Sequence, residues 1–121
     1  MVSLKSFAHL ADIDLGERAP KKSAISGEPA EAEQLLWKSS DGKVEVGVWE
    51  CTPGRFAGFR EDNSEVCHIV SGSATLRGLG GSEQNIGPGE MVVLPIGWRG
   101  EWTVHETIRK LYVVHFENVS I

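Results

Sequence analysis

An acid, an amine and a phenol stand out among the apolar stretches of this 121-residue chain. Glu65 lies in Glu65-Val66-Cys67-His68-Ile69-Val70, and Lys110 and Tyr112 lie in Lys110-Leu111-Tyr112-Val113-Val114. Alternation puts Glu65, Cys67 and Ile69 on one face of a strand, and Lys110, Tyr112 and Val114 on one face of another. These groups suit ionic or acid–base chemistry. Thiol chemistry is a weaker reading. No histidine shares the face of Cys67, so Cys67 reads as a small buried hydrophobe. Zinc chemistry has no support, because no C-x-x-C or H-x-x-H spacing occurs. The four histidines, His9, His68, His105 and His115, are scattered, and His68 faces away from Glu65.

The elements that must position these groups are strands. Leu35-Leu36-Trp37 leads to Asp41-Gly42, a hairpin signal because both residues tolerate positive φ. Val44 to Cys51 alternates, with Gly47, Trp49 and Cys51 on one face. Thr52-Pro53-Gly54 ends it as a turn. The polar stretch from Arg55 to Ser64 reads as a connection. After Glu65–Ser71, Gly72 turns the chain into a short strand, Ala74–Arg77, with a glycine-rich tip before Gln84–Ile86. Met91–Leu94, Trp102–Glu106 and Lys110–Phe116 complete about eight short strands at turn spacing. Residues 1–34 read as an arm that docks on the body or on a second copy, with one helical turn over Ala30–Gln34. Residues 35–121 form one antiparallel all-β domain, a sandwich or a barrel.

Composition narrows the function classes. With 40% apolar and 24% charged residues the chain reads as globular. A net charge of −5 argues against a nucleic-acid partner, which requires a basic face. No apolar run approaches the roughly 20 residues of a membrane helix, so no membrane partner is expected. The opening residues lack the apolar stretch of a signal peptide. A cytoplasmic protein is expected, with Cys51 and Cys67 as buried thiols in a reducing compartment.

Two spacings resemble the cupin superfamily: Glu65, six intervening residues and Gly72; and Gly89, five residues, Pro95, one residue and Gly97. Trp49-Glu50-Cys51-Thr52-Pro53-Gly54, Ser64-Glu65-Val66-Cys67-His68-Ile69, Leu94-Pro95-Ile96-Gly97-Trp98-Arg99-Gly100-Glu101-Trp102 and Arg109-Lys110-Leu111-Tyr112 are similar to small cupins of the (S)-ureidoglycine aminohydrolase cupin-domain type. The resemblance covers residues 35–116. It implies a jelly-roll barrel (a double-stranded β-helix) with the N-terminal arm outside it, and a homodimer. It also implies that the faces of Glu65 and Lys110 look inward. Cupin enzymes hold a divalent metal with three histidines and the motif glutamate. Here Arg60, Asp62 and Gly100 stand at the histidine positions, which leaves Glu65 alone. No metal cofactor is therefore expected.

The barrel interior would then be apolar with a few convergent polar groups, the composition of a small-molecule pocket. Its expected lining is Trp49, Arg60, Glu65, Cys67, Trp102, Lys110 and Tyr112. Lys110 either neutralises Glu65 in an ion pair that holds register, or loses basicity through burial and acts as a base or Schiff-base amine. Three functions follow. The leading one is a metal-poor binder of a small polar or carboxylated ligand, held by Lys110, Tyr112 and Arg60. The second, implied by the resemblance, is a hydrolase or isomerase acting on a ureido or otherwise nitrogenous metabolite. Glu65 would be its general base and Lys110 its electrostatic stabiliser. The third is a structural or regulatory homodimer with a filled barrel.

Overall fold

The computed structural model describes residues 1–117, which carry nine strands and no helix. They are β1 (Ala19–Pro20), β2 (Ala24–Ser26), β3 (Ala30–Lys38), β4 (Val44–Cys51), β5 (Gly54–Phe59), β6 (Asn63–Gly78), β7 (Glu83–Ile86), β8 (Met91–Leu94) and β9 (Arg99–Phe116). All pairings are antiparallel. The architecture is the all-β jelly-roll barrel expected from the sequence.

Two long strands organise it. β6 has 16 residues and β9 has 18, and they pair along most of their length. One half of the barrel is β1, β3, β4, the C-terminal part of β9, the N-terminal part of β6, and β8. The other half is β2, β5, the N-terminal part of β9, the C-terminal part of β6, and β7. The register of β6 on β9 slips between Ile69 and Ala74, where the paired strands turn the corner between halves. Gly72 sits at this corner with φ of +82°, and a Cβ there would run into the Thr107 carbonyl oxygen. Only glycine fits so close a crossing.

The structure corrects four local expectations. Gly72 bends one strand instead of reversing the chain. The stretches Trp102–Glu106 and Lys110–Phe116 are one strand, β9. Much of the supposed connection after Gly54 is β5, paired with β9 from Gly54↔Val104 to Phe59↔Arg99. Ala30–Gln34 is the start of β3, not a helical turn. Its alternation of small and charged residues suits a strand with one face in the barrel.

The core lies between the two halves and includes Trp49, Cys51, Phe56, Cys67, Ile69, Trp102, Ile108 and Tyr112. The short strands β1 and β2 tie its open edges together, because β1 pairs with β3 and β2 with β5. The chain before them is fastened to the outer face. Arg18 pairs with Glu50 at 2.7 Å. Arg109 donates to the same carboxylate and, at 3.0 Å, to the Leu10 carbonyl.

Candidate functional site

A cavity of about 270 Å³ opens inside the barrel. β4, β6 and β9 bring its polar groups together through register. Lys110 stands opposite Trp49 on one side and Ile69 on the other, and Tyr112 stands opposite Gly47 and Cys67. Val114, the partner of Glu65, lies four positions after Lys110 on β9. The long lysine stem spans that offset, and Lys110 Nζ meets Glu65 Oε2 at 2.9 Å.

Both charges are buried, with 3% of Glu65 and 6% of Lys110 exposed. Indole faces complete the surroundings of the ammonium, whose Nζ is 4.4 Å from the Trp49 ring centre and 4.7 Å from that of Trp102. Phe56 stacks on Trp102 with centroids 6.0 Å apart, forming an aromatic floor. Arg60 approaches from the loop after β5. Its Nη1 is 3.5 Å from Glu65 Oε1 and donates to Asn63 Oδ1 at 2.9 Å. Two buried atoms have no hydrogen-bond partner: Arg60 Nε and Glu65 Oε1.

The charges set each other's protonation. Burial alone would raise the Glu65 pKa, but the charges of Lys110 and Arg60 outweigh it and leave it below the ordinary 4.5. Burial alone would lower the Lys110 pKa, but the Glu65 carboxylate outweighs it and leaves it above 10.5. Lys110 is thus an ammonium at neutral pH, not a free amine for Schiff-base chemistry. Burial, more than any neighbouring charge, pushes the Cys67 thiol up to about 12, which makes it inert.

Six of the seven residues expected to line a pocket do line this cavity: Trp49, Arg60, Glu65, Trp102, Lys110 and Tyr112. Cys67 is fully buried in the core and is not in the cavity wall, which corrects its placement. Sequence reasoning missed Lys21, Glu31, Glu33 and Glu45, which also line it. Glu31 accepts bonds from Lys21 Nζ at 2.9 Å and Trp49 Nε1 at 2.8 Å. The Tyr112 hydroxyl donates to Glu33 at 2.8 Å, and burial together with that bond raises its pKa. Gly47 makes room for the phenol, since a Cβ there would strike the Tyr112 hydroxyl and ring. The alternation Glu31-Ala32-Glu33 was the available signal.

The donor set does not fit a cupin metal. Arg60 and Lys110 place two positive charges on Glu65, the one carboxylate retained from the motif. At the third histidine position, a Cβ on Gly100 would collide with the Arg77 carbonyl, so no ligating side chain fits there. None of the four histidines lines the cavity. Among the described residues, no group of three or more His, Cys, Asp or Glu side chains is arranged to hold a metal ion.

Comparison with known proteins agrees with this geometry at the level of fold. A protein of unknown function of the DUF861 family from Pseudomonas syringae pv. tomato superposes with a TM-score of 0.70 at 24% identity, over 83% of this chain and 45% of that one. The Clostridium difficile EutQ protein superposes with a TM-score of 0.64 at 16% identity, over 74% of this chain and 65% of that one. The chain thus spans less than two thirds of the length of either. A DUF861 family protein from Thermotoga maritima is 32% identical over 54% of this chain and 73% of its own, with a TM-score of 0.51. No curated protein matches the sequence. The model of the EutQ-like cupin domain matches residues 38–112, which supply most of the cavity wall, and the chain belongs to that cupin family.

Proposed function

We propose that this chain is a metal-independent cupin whose barrel binds a small polar metabolite. The observation that carries the reading is that two buried atoms of cavity-lining residues lack a hydrogen-bond partner: the donor Arg60 Nε and the acceptor Glu65 Oε1, which has only a 3.5 Å ion contact from Arg60 Nη1. Leaving such groups unpaired costs about 1–3 kcal/mol each. A ligand that both accepts and donates removes that cost. The cavity is slightly smaller than the roughly 300 Å³ that begins the range for drug-sized ligands, so a molecule of few heavy atoms suits it. Its volume also counts against a purely structural barrel with a filled interior. A carboxylated ligand held by Lys110, Tyr112 and Arg60 is less well supported. Lys110 and Arg60 already face Glu65, and Tyr112 already donates to Glu33.

A second reading is a hydrolase or isomerase of the (S)-ureidoglycine aminohydrolase type, acting on a ureido compound. It is supported by the sequence motifs and by the donor–acceptor pair, which matches a ureido group. Glu65 would be its base and Lys110 its electrostatic stabiliser. The lowered pKa of Glu65 makes it a weak base and favours the binding reading. We propose in addition a homodimer, supported by the apolar outer row Val93, Val66, Val113 and Val46, of which Val93 and Val113 are exposed. The two free, buried cysteines suit a reducing, cytoplasmic setting.

A thermal-shift screen with small polar metabolites, run with and without divalent metals, tests the main reading. A ligand at 100 times its dissociation constant is expected to add about 2.7 kcal/mol, with or without metal. Stoichiometric Mn, Fe, Ni or Zn in the purified protein would overturn metal independence.

A further inference from the structure

The charges around the cavity are not evenly spread. Glu65 faces two cations, Lys110 and Arg60, so this inner end carries a surplus positive charge. Its unsatisfied atoms are one donor and one acceptor, Arg60 Nε and Glu65 Oε1. Farther along the same half of the barrel, the wall from β3 and β4 is acidic. Glu31 is matched there by Lys21 at 2.9 Å. Glu33 receives only the neutral Tyr112 hydroxyl. Glu45 has Lys38 at 3.6 Å, but that side chain is 54% exposed and lies outside the cavity wall. Glu33 bonds the Tyr112 hydroxyl and the charge of Glu45 also acts on it, so negative charge is in excess on this wall.

A ligand matching both ends needs two different groups. At Arg60 and Glu65 it must accept from Nε–H and donate to Oε1. A primary amide does both with adjacent atoms, whereas a carboxylate has no proton for Oε1 and would meet a buried carboxylate with like charge. Beside Glu33 and Glu45 it needs a cation, which carboxylates favour and a second anion would not. We infer that the cavity selects a small amino-amide, with its ammonium at Glu33 and Glu45 and its neutral amide head at Arg60 and Glu65. This assignment rests on the ligand-binding reading of the same cavity and specifies its chemistry.

Three probes of equal chain length separate the possibilities: β-alaninamide (cation with amide), β-alanine (cation with carboxylate) and succinamate (anion with amide). Isothermal titration calorimetry on the full chain reads their affinities. β-Alaninamide is expected to bind tightest. Glu33→Gln and Glu45→Gln should each weaken it, about tenfold for Glu33, in line with loss of a charge-assisted contact. Both positions lie toward the exposed side of the wall, and unchanged circular dichroism and melting would show that the variants fold. Tightest binding by succinamate would overturn the cationic end, and tightest binding by β-alanine the amide end; in both cases ligand binding itself stands. An affinity for β-alaninamide unchanged in both variants would overturn the placement of the ammonium. If none of the three probes binds, nor any metabolite in the thermal-shift screen, the binding reading itself fails.

Discussion

Glu65 and Lys110 face each other 2.9 Å apart with almost no solvent around them. Removing one member of such a pair leaves a desolvated charge, which costs roughly 3–5 kcal/mol, whereas replacing both with apolar residues is often neutral. Lys110→Met is therefore expected to lose about that much stability in urea unfolding, and Lys110→Met with Glu65→Leu to recover most of it. Equal losses in the single and double variants would mean that packing of the lysine stem, not the charge, is what matters. The pair also sets a pH window. The folded pKa of Glu65 is lowered, so its contribution is complete above pH 4.5 and is lost as pH falls through the folded value. The folded pKa of Lys110 is raised, so its contribution is complete below pH 10.5 and is lost as pH rises through the folded value. Stability from this pair should be flat between those limits, and Lys110→Met should remove the alkaline decline.

At the scale of elements, β9 does two jobs with its two faces. Inward it presents Lys110 and Tyr112 to the cavity. Outward it presents Arg109, which is 7% exposed and ties Glu50 and the Leu10 carbonyl together. The N-terminal segment is held to the barrel by this clamp and by Arg18. Arg109→Ala is expected to release the segment while leaving the cavity intact. Loss of charge-assisted bonds of about 1.5–3 kcal/mol should speed tryptic cleavage after Lys5 and Arg18 tenfold or more. Cleavage at the wild-type rate would show that the segment is held by other contacts. The strand alternation of β9 was legible in the sequence, and so was the pairing of Lys110 with Tyr112 on one face. Its continuity through Thr107 and Ile108 was not, because the polar run His105-Glu106-Thr107 interrupts the apolar alternation. In the barrel they lie at a corner, where Gly72 lets β6 cross closely.

At the scale of the whole molecule, register lines up an apolar row on the outer surface: Val93, Val66, Val113, Val46 and Trp37, one from each of five neighbouring strands. Val93 is 58% exposed and Val113 42%. A sheet face of this kind packs well against a second sheet, and a two-fold axis would let the same row cover itself. The homodimer proposed above would bury it. Sedimentation velocity is expected to give twice the 13.2 kDa chain mass, and Val113→Glu to give a monomer with an unchanged melting profile at low concentration. A wild-type monomer at high concentration would remove the proposal.

Local rules were enough to identify the strands around the motifs, the two-residue period that groups Glu65 with Cys67 and Lys110 with Tyr112, and the missing histidines. These follow from residue type and spacing within a few positions. The tertiary structure decided which carboxylates share the cavity. Glu33 reaches Tyr112 across 79 positions of sequence, because β3, β4 and β9 lie side by side in one register. It also decided that Lys110 is a partnered ammonium and that Cys67 lies outside the cavity wall. Burial and charge pairing are properties of distant segments brought together, and alternation along one strand carries no information about what lies opposite.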